Sequence, residues 1–303
     1  MSKLQKAVED FCGFLLTEKG ASGNTITAYR NDLGQLADFM ETRSITDGWK
    51  GLDSSSLQDF IVDLKTHGYT ESSIARKVAA IRSFFGFLAS EGALTNNPAE
   101  ALASPHINRA VPTTLTPVEV DELLEQPARR STPEAKRDRA MLELIYATGM
   151  RVTELVSLNV TNLNLDPRFP YVKCMGKGAK ERSITIHDQA LEALNAYLED
   201  GRPMLLRDPS ELALFLNRRG ERLTRQGFWF ILKGYARSAN LSEEITPHTL
   251  RHSFAAHMVR GGMTLKGVQE MLGYTNTSRI QAYVRAGLTD EVRQAYIQAH
   301  PRA

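Results

Sequence analysis

The sequence predicts a mainly α protein of two domains: a four-helix bundle, then a mixed but mostly helical domain with a small β-hairpin or sheet. Three observations predict it. Apolar residues recur at three- and four-residue spacing in four stretches of residues 2–105, the period of helices with one buried face. Pro98, Pro105, Pro112 and Pro117 then interrupt any helix, because proline lacks an N–H and fixes φ. Beyond them, one pair of segments has the strand–turn–strand pattern of a hairpin.

The first helix carries Leu4, Val8, Phe11 and Leu15 after Ser2, and the second carries Ile26, Tyr29, Leu33, Leu36 and Met40 after the cap candidates Asn24 and Thr25. The third places Leu57, Phe60, Ile61 and Leu64 behind a serine run. The fourth runs Ile74, Val78, Ile81, Phe85, Leu88 and ends near Gly92. The first domain is thus expected over 1–105, with a linker over 106–115. Thr116-Pro117-Val118-Glu119 reads as a capping box with proline in the first turn and opens the second domain, 116–303. Within it, 171–175 and 183–186 flank a Gly-rich turn as a hairpin, and 214–216 reads as a third short strand. Helices are expected over 189–198, 224–239, 247–259, 265–272 and 277–286. After Gly287, Leu288, Val292 and Tyr296 recur at four-residue spacing. That last helix, about 288–303, is too short to bury its apolar face alone.

A chain of 303 residues, 42% hydrophobic and 24% charged, suits two separate cores. The net charge of +2 is unevenly split, with 11 Lys+Arg against 13 Asp+Glu in 1–112 and 26 against 22 from 113 onward. The second domain is the basic one, a mild bias that fits local nucleic-acid contacts and does not establish them. Cys12 and Cys174 fall in different domains and cannot form a disulfide framework, so a reducing cytoplasm is expected. The amino terminus lacks the apolar run of a secretory signal. No stretch approaches the ~20 apolar residues that span a bilayer.

Arg151, Lys177, His248, Arg251 and Tyr283 lie in that order on what reads as helix, hairpin, helix, helix and helix. These types can cut a phosphodiester without a metal. Guanidiniums offer charged forks for phosphate oxygens, an imidazole moves protons, a lysine protonates a leaving alkoxide, and a phenol can attack phosphorus. Each has a plainer reading. Tyr283 is one of nine tyrosines, and an isolated helical tyrosine is usually a core residue. Arg151 could pair with Glu154 or Glu143, although Gly149 before it suggests a broken helix and a close backbone approach to a ligand. His248 and Arg251, at i and i+3, share one helix face behind Thr246-Pro247, an end that also favours a phosphate. Lys177 competes with Lys180 in the turn, and the Gly-Lys-Gly string does not satisfy a P-loop. Arg182 reads as a DNA-backbone contact and His252 as a packing or outer contact.

At these residues the chain resembles the tyrosine recombinases of the phage-integrase family, most closely the Xer group. The resemblance rests on Ala147-Thr148-Gly149-Met150-Arg151-Val152-Thr153-Glu154-Leu155, on Gly176-Lys177-Gly178-Ala179-Lys180-Glu181-Arg182, on His248-Thr249-Leu250-Arg251-His252, and on Leu272-Gly273-Tyr274 with Tyr283 nine residues on. It covers nearly the whole chain, and one position departs: Tyr274 stands where the family usually has His or Trp.

The resemblance implies a SAM-like core-binding bundle and a catalytic domain closing around duplex DNA, with Tyr283 as nucleophile forming a 3′-phosphotyrosine on the way to a Holliday junction. It implies that Arg151, Arg251, His248 and Tyr274 stabilise the phosphorane, that Lys177 acts as general acid, and that Glu154 orients the cations. It implies no cofactor. Expected partners are a duplex recombination site, a homotetramer or a heterotetramer with a sister recombinase, and a cell-division DNA translocase as activator. The tail 288–303 is expected to dock on a neighbouring protomer, with its own domain as the alternative host. Chromosome or plasmid dimer resolution is the expected task. An integrase of a mobile element, a type IB topoisomerase-like enzyme and a non-catalytic architectural DNA-binding protein are the alternatives.

Overall fold

The computed structural model describes residues 3–106, 113–175, 181–273 and 300–301. The chain divides into two compact units, Met1–Ala110 and Val111–Ala303. The hairpin turn with Lys177, the helix expected over 277–286 and all of the tail helix except 300–301 lie outside the described residues, as do Tyr274 and Tyr283.

The first unit holds α1 (Lys3–Thr17), α2 (Gly23–Thr42), α3 (Ser54–Thr66) and α4 (Glu71–Ser90), with a 3-10 turn at Gly48–Gly51. Side-chain caps start the helices: Asp53 Oδ1 accepts from the Ser56 N–H at 2.7 Å, and Thr70 Oγ1 accepts from the Ser73 N–H at 3.3 Å. For α2 the cap is Ser22 and not Asn24 or Thr25, because Ser22 has the extended backbone a cap requires. The core is aromatic. Phe11, Phe84 and Phe85 are fully buried, and Trp49 meets Phe84 edge-on at 4.8 Å. Between α2 and α4 lies a buried ion pair, Lys77 Nζ to Asp32 Oδ1 at 2.9 Å, with Gln35 Oε1 at 2.6 Å as a second acceptor for the lysine. Charges so far from water persist only when paired and hydrogen-bonded.

In the second unit the capping box forms as expected, with the Glu119 N–H on Thr116 Oγ1 and the Thr116 N–H on Glu119 Oε2 at 2.7 Å. It starts α5 (Pro117–Glu125). Next, α6 (Pro133–Thr148) is buried at every residue from Ala140 to Thr148, Glu143 included. It contacts α8 (Asp188–Ala196) and α11 (Pro247–Arg260). The short α7 (Val152–Ser157) follows α6, while α9 (Arg202–Leu205), α10 (Arg225–Ser238) and α12 (Leu265–Leu272) complete the helices among the described residues.

An antiparallel sheet in the order β1-β2-β3 joins β1 (Leu163–Asn164), β2 (Tyr171–Met175) and β3 (Glu181–Thr185). The third strand is therefore Leu163–Asn164, and the expected strand at 214–216 is corrected. That run makes one isolated bridge, Leu216 with Arg222, and the residue before it another, Ala213 with Asn159. Leu214, Phe215 and Leu216 are buried on both sides, which mimics a strand in sequence, whereas two residues of β1 are too few to show alternation. The helix expected over 189–198 ends at Ala196 and continues as a π turn, Tyr197–Gly201. Cys12 and Cys174 are buried, free thiols, and burial pushes Cys174 up to about 12. Near the carboxy terminus, His300 is buried within the same chain, its ring 4.4 Å from His187 and 5.1 Å from Tyr146. At this residue the tail meets its own domain. No helix among the described residues is long and apolar enough to cross a membrane.

Candidate active site

The site forms where three helix ends meet. At the end of α6, Gly149 takes a left-handed φ of +57°, and a Cβ there would lie 2.3 Å from Phe254 and 2.7 Å from Leu272. Sequence reading expected a glycine that breaks the helix, as it does, and admits a ligand. Instead it admits side chains from α11 and α12, turning the chain so that Arg151 follows in extended backbone (φ −73°, ψ 149°). Arg151 is thus the N-cap of α7 and not a residue inside a helix, a correction to the sequence expectation. Glu154, in the first turn of α7, accepts the Arg151 N–H at 2.7 Å and the Arg151 Nη1 at 3.1 Å.

Thr246 caps α11, receiving the Thr249 N–H while its own N–H is held by Thr249 Oγ1 at 3.0 Å. Pro247 and His248 fill the first turn, and Arg251 follows one turn later. Arg251 is 2% exposed and donates Nη2 to the Leu272 carbonyl at 2.6 Å and Nη1 to the Gly149 carbonyl. A guanidinium carries five N–H donors in one plane. Two bonds to backbone carbonyls fix that plane from behind.

Arg151, His248 and Arg251 line one groove of about 680 Å³. Sequence reasoning missed other residues on its wall, among them Arg225 and Trp229 of α10. The signal was present, since Phe228-Trp229-Phe230-Ile231-Leu232 is five apolar residues in succession, too wide for one buried helix face. Phe228 and Leu232 face the core, while Trp229 is 40% and Phe230 59% exposed. The groove therefore has three cationic side chains, an imidazole and an apolar lip, a combination suited to a sugar-phosphate backbone. Lys177, Tyr274 and Tyr283 lie outside the described residues. His252 is half-buried with its ring 6.4 Å from His248, consistent with an outer contact. Among the described residues, no three His, Cys, Asp or Glu side chains cluster to hold a metal ion.

Electrostatics follow from the geometry. Burial, and then the charges of Arg251, Arg151 and Arg225, hold the His248 imidazole below its ordinary value. A lowered value keeps the ring neutral, and able to accept a proton, throughout the neutral range. Adduct formation measured as kcat/KM, which reports the free enzyme, is therefore expected to hold as the pH falls to about 6.5 and to decline only at lower pH. His248→Gln should abolish that break. Activity that instead rises as the pH is lowered through this range would mean that the imidazolium is the form that matters. For Glu154, burial raises the carboxyl, but the bonds from Arg182 and from the Arg151 N–H, with both arginine charges, outweigh it and leave the carboxyl below the usual range. It is an anion at neutral pH.

Two family models match this chain. Residues 113–288 match the phage integrase family, and residues 8–92 match its N-terminal SAM-like domain. The chain belongs to the phage integrase family. It is 46% identical to tyrosine recombinase XerC of Herpetosiphon aurantiacus over 99% of this chain and 96% of that one. It is 42% identical to tyrosine recombinase XerD of Oceanobacillus iheyensis over 99% and 100%. As a tyrosine recombinase it is a DNA strand-transferring enzyme. In fold it is similar to the XerH recombinase bound to a palindromic difH substrate, with a TM-score of 0.75 and 22% identity, covering 93% of this chain and 81% of that one. A λ integrase dimer bound to a core site gives a TM-score of 0.70 at 18% identity, over 96% and 99%.

Proposed function

We propose that the protein recombines two duplex DNA sites by paired strand exchange. The observation that supports this reading is the convergence of Arg151, His248 and Arg251 on one groove, in a chain that carries Lys177 and Tyr283 in the family's order, with Tyr274 where the family usually has His or Trp. The Tyr283 phenol attacks the scissile phosphorus and His248 assists removal of its proton. Arg151 and Arg251, with Tyr274 as a further donor, hold the non-bridging oxygens as charge builds in the transition state. Lys177 protonates the departing 5′ oxygen. The phosphotyrosine conserves the phosphodiester energy, so the strand reseals without a cofactor.

Residues 1–105 add DNA contacts beside the cleaved strand, and four protomers assemble on synapsed sites. Relatives named XerC and XerD both match over nearly their full lengths, which suits either a homotetramer or a heterotetramer with a sister recombinase. The favoured task is resolution of chromosome or plasmid dimers in the cytoplasm at cell division, with a DNA translocase as activator. Incubation with paired duplexes carrying a cognate site should yield a Holliday junction. Nicking and resealing of one duplex with no junction, on a site that the protein occupies in pairs, would move the reading to a topoisomerase-like enzyme.

A further inference from the structure

Arg182, at the start of β3, reads in sequence as a contact to the DNA backbone. The structure gives it other partners. Its side chain is 15% exposed, and its fork meets Glu154 in two parallel bonds, Nη1 to Oε1 and Nη2 to Oε2, both 2.9 Å. The remaining nitrogen, Nε, donates to the Met271 carbonyl at 3.0 Å. A Cβ placed on Gly273 would come within 3.1 Å of the Arg182 Nη1, so the guanidinium also lies against the left-handed residue that ends α12.

The last two carbonyls of α12 are thus each held by an arginine from another element: Met271 by Arg182 of β3 and Leu272 by Arg251 of α11. Terminal carbonyls of a helix have no partner within it, so these two bonds fix where α12 stops. The next residues in the chain are Gly273 and Tyr274, and Tyr283 lies nine further on. The other end of the network is Glu154, whose Oε1 also accepts Arg151 Nη1 and whose Oε2 accepts the Arg151 N–H. One carboxylate therefore sets Arg151 and Arg182 together.

We infer that Arg182 is a positioning residue for the reaction: bridging Glu154 and the Met271 carbonyl, it holds the end of α12 in register with Arg151. The inference rests on the recombinase reading above. Lysine at this position supplies charge but no fork, so it cannot hold both carboxylate oxygens and the carbonyl at once. Loss of such an anchor shifts reacting groups by about an ångström, which can reduce a rate about 10²-fold without touching binding.

The test compares parent, Arg182→Ala and Arg182→Lys in the full chain on two nicked suicide duplexes, one normal and one with a 5′-bridging sulfur whose thiolate leaves without protonation. For both variants the expected result is an unchanged Kd and salt dependence, and a saturated cleavage rate lowered about 10²-fold equally on the two substrates. Arg182→Lys keeps the inference testable should the alanine variant fold poorly. Selective rescue by sulfur would show that Arg182 serves the leaving-group side through the hairpin. A weaker Kd with a shallower salt slope and an unchanged saturated rate would show a phosphate contact. Either result overturns the inference. Absence of adduct from the parent protein would instead count against the recombinase reading.

Discussion

Arg251→Ala is expected to lower the rate of DNA cleavage about 10²–10³-fold, the usual consequence of removing one preorganised donor from a developing oxyanion. It should also destabilise the second unit. The guanidinium is 2% exposed and holds the carbonyls of Gly149 and Leu272, so its loss strands two buried acceptors at roughly 1–3 kcal/mol each. The two effects separate by temperature, because cleavage measured well below the melting transition reports chemistry alone. Arg251→Lys restores a charge but not the planar fork, so part of the stability should return while the rate stays low. Cleavage by the alanine variant within tenfold of the parent, in a fully folded sample, would remove Arg251 from the site.

Tyr283→Phe has the largest expected effect, complete loss of the covalent protein–DNA adduct. The substitution deletes one hydroxyl and keeps the ring, so duplex binding should remain close to that of the parent. Tyr274→Phe should behave differently: if Tyr274 donates to the phosphate in place of the usual His or Trp, cleavage slows without being abolished, and Tyr274→His retains or raises it. Electrophoresis in denaturant, with labelled DNA, reads both variants directly. A denaturant-resistant adduct from Tyr283→Phe would transfer the nucleophile's role to another tyrosine, with Tyr274 the first to examine.

Much of this site was legible before the structure because its chemistry is local in sequence. His248 and Arg251 share a helix face by their spacing alone, and Thr246-Pro247 announces where that helix begins. The four helical patterns of the first unit and the capping box at Thr116 were legible for the same reason. Long-range partnerships were not. Nothing near Arg182 in sequence indicates that its fork meets Glu154, 28 residues earlier, or the Met271 carbonyl, 89 residues later. An exposed-looking basic residue beside a turn reads as a DNA contact until packing shows otherwise. Gly149 was correctly singled out but for the wrong neighbour, since only the tertiary fold brings Phe254 and Leu272 against it. The strand Leu163–Asn164 escaped because two residues carry no period, and His300 because a single buried imidazole near a chain end has no local signature.

The central claim, a metal-independent attack by Tyr283, reduces to the identity of one modified peptide. Trypsin cleaves this sequence after Lys266, Arg279 and Arg285, so Tyr274 falls in the peptide 267–279 and Tyr283 in 280–285. The parent protein is to be trapped on a nicked suicide duplex in excess chelator, digested with nuclease and trypsin, and the nucleotide-bearing peptide sequenced by mass spectrometry. The account predicts a phosphodeoxynucleotide on peptide 280–285, at Tyr283. An adduct on peptide 267–279, or one that forms only when a divalent ion is restored, would contradict it.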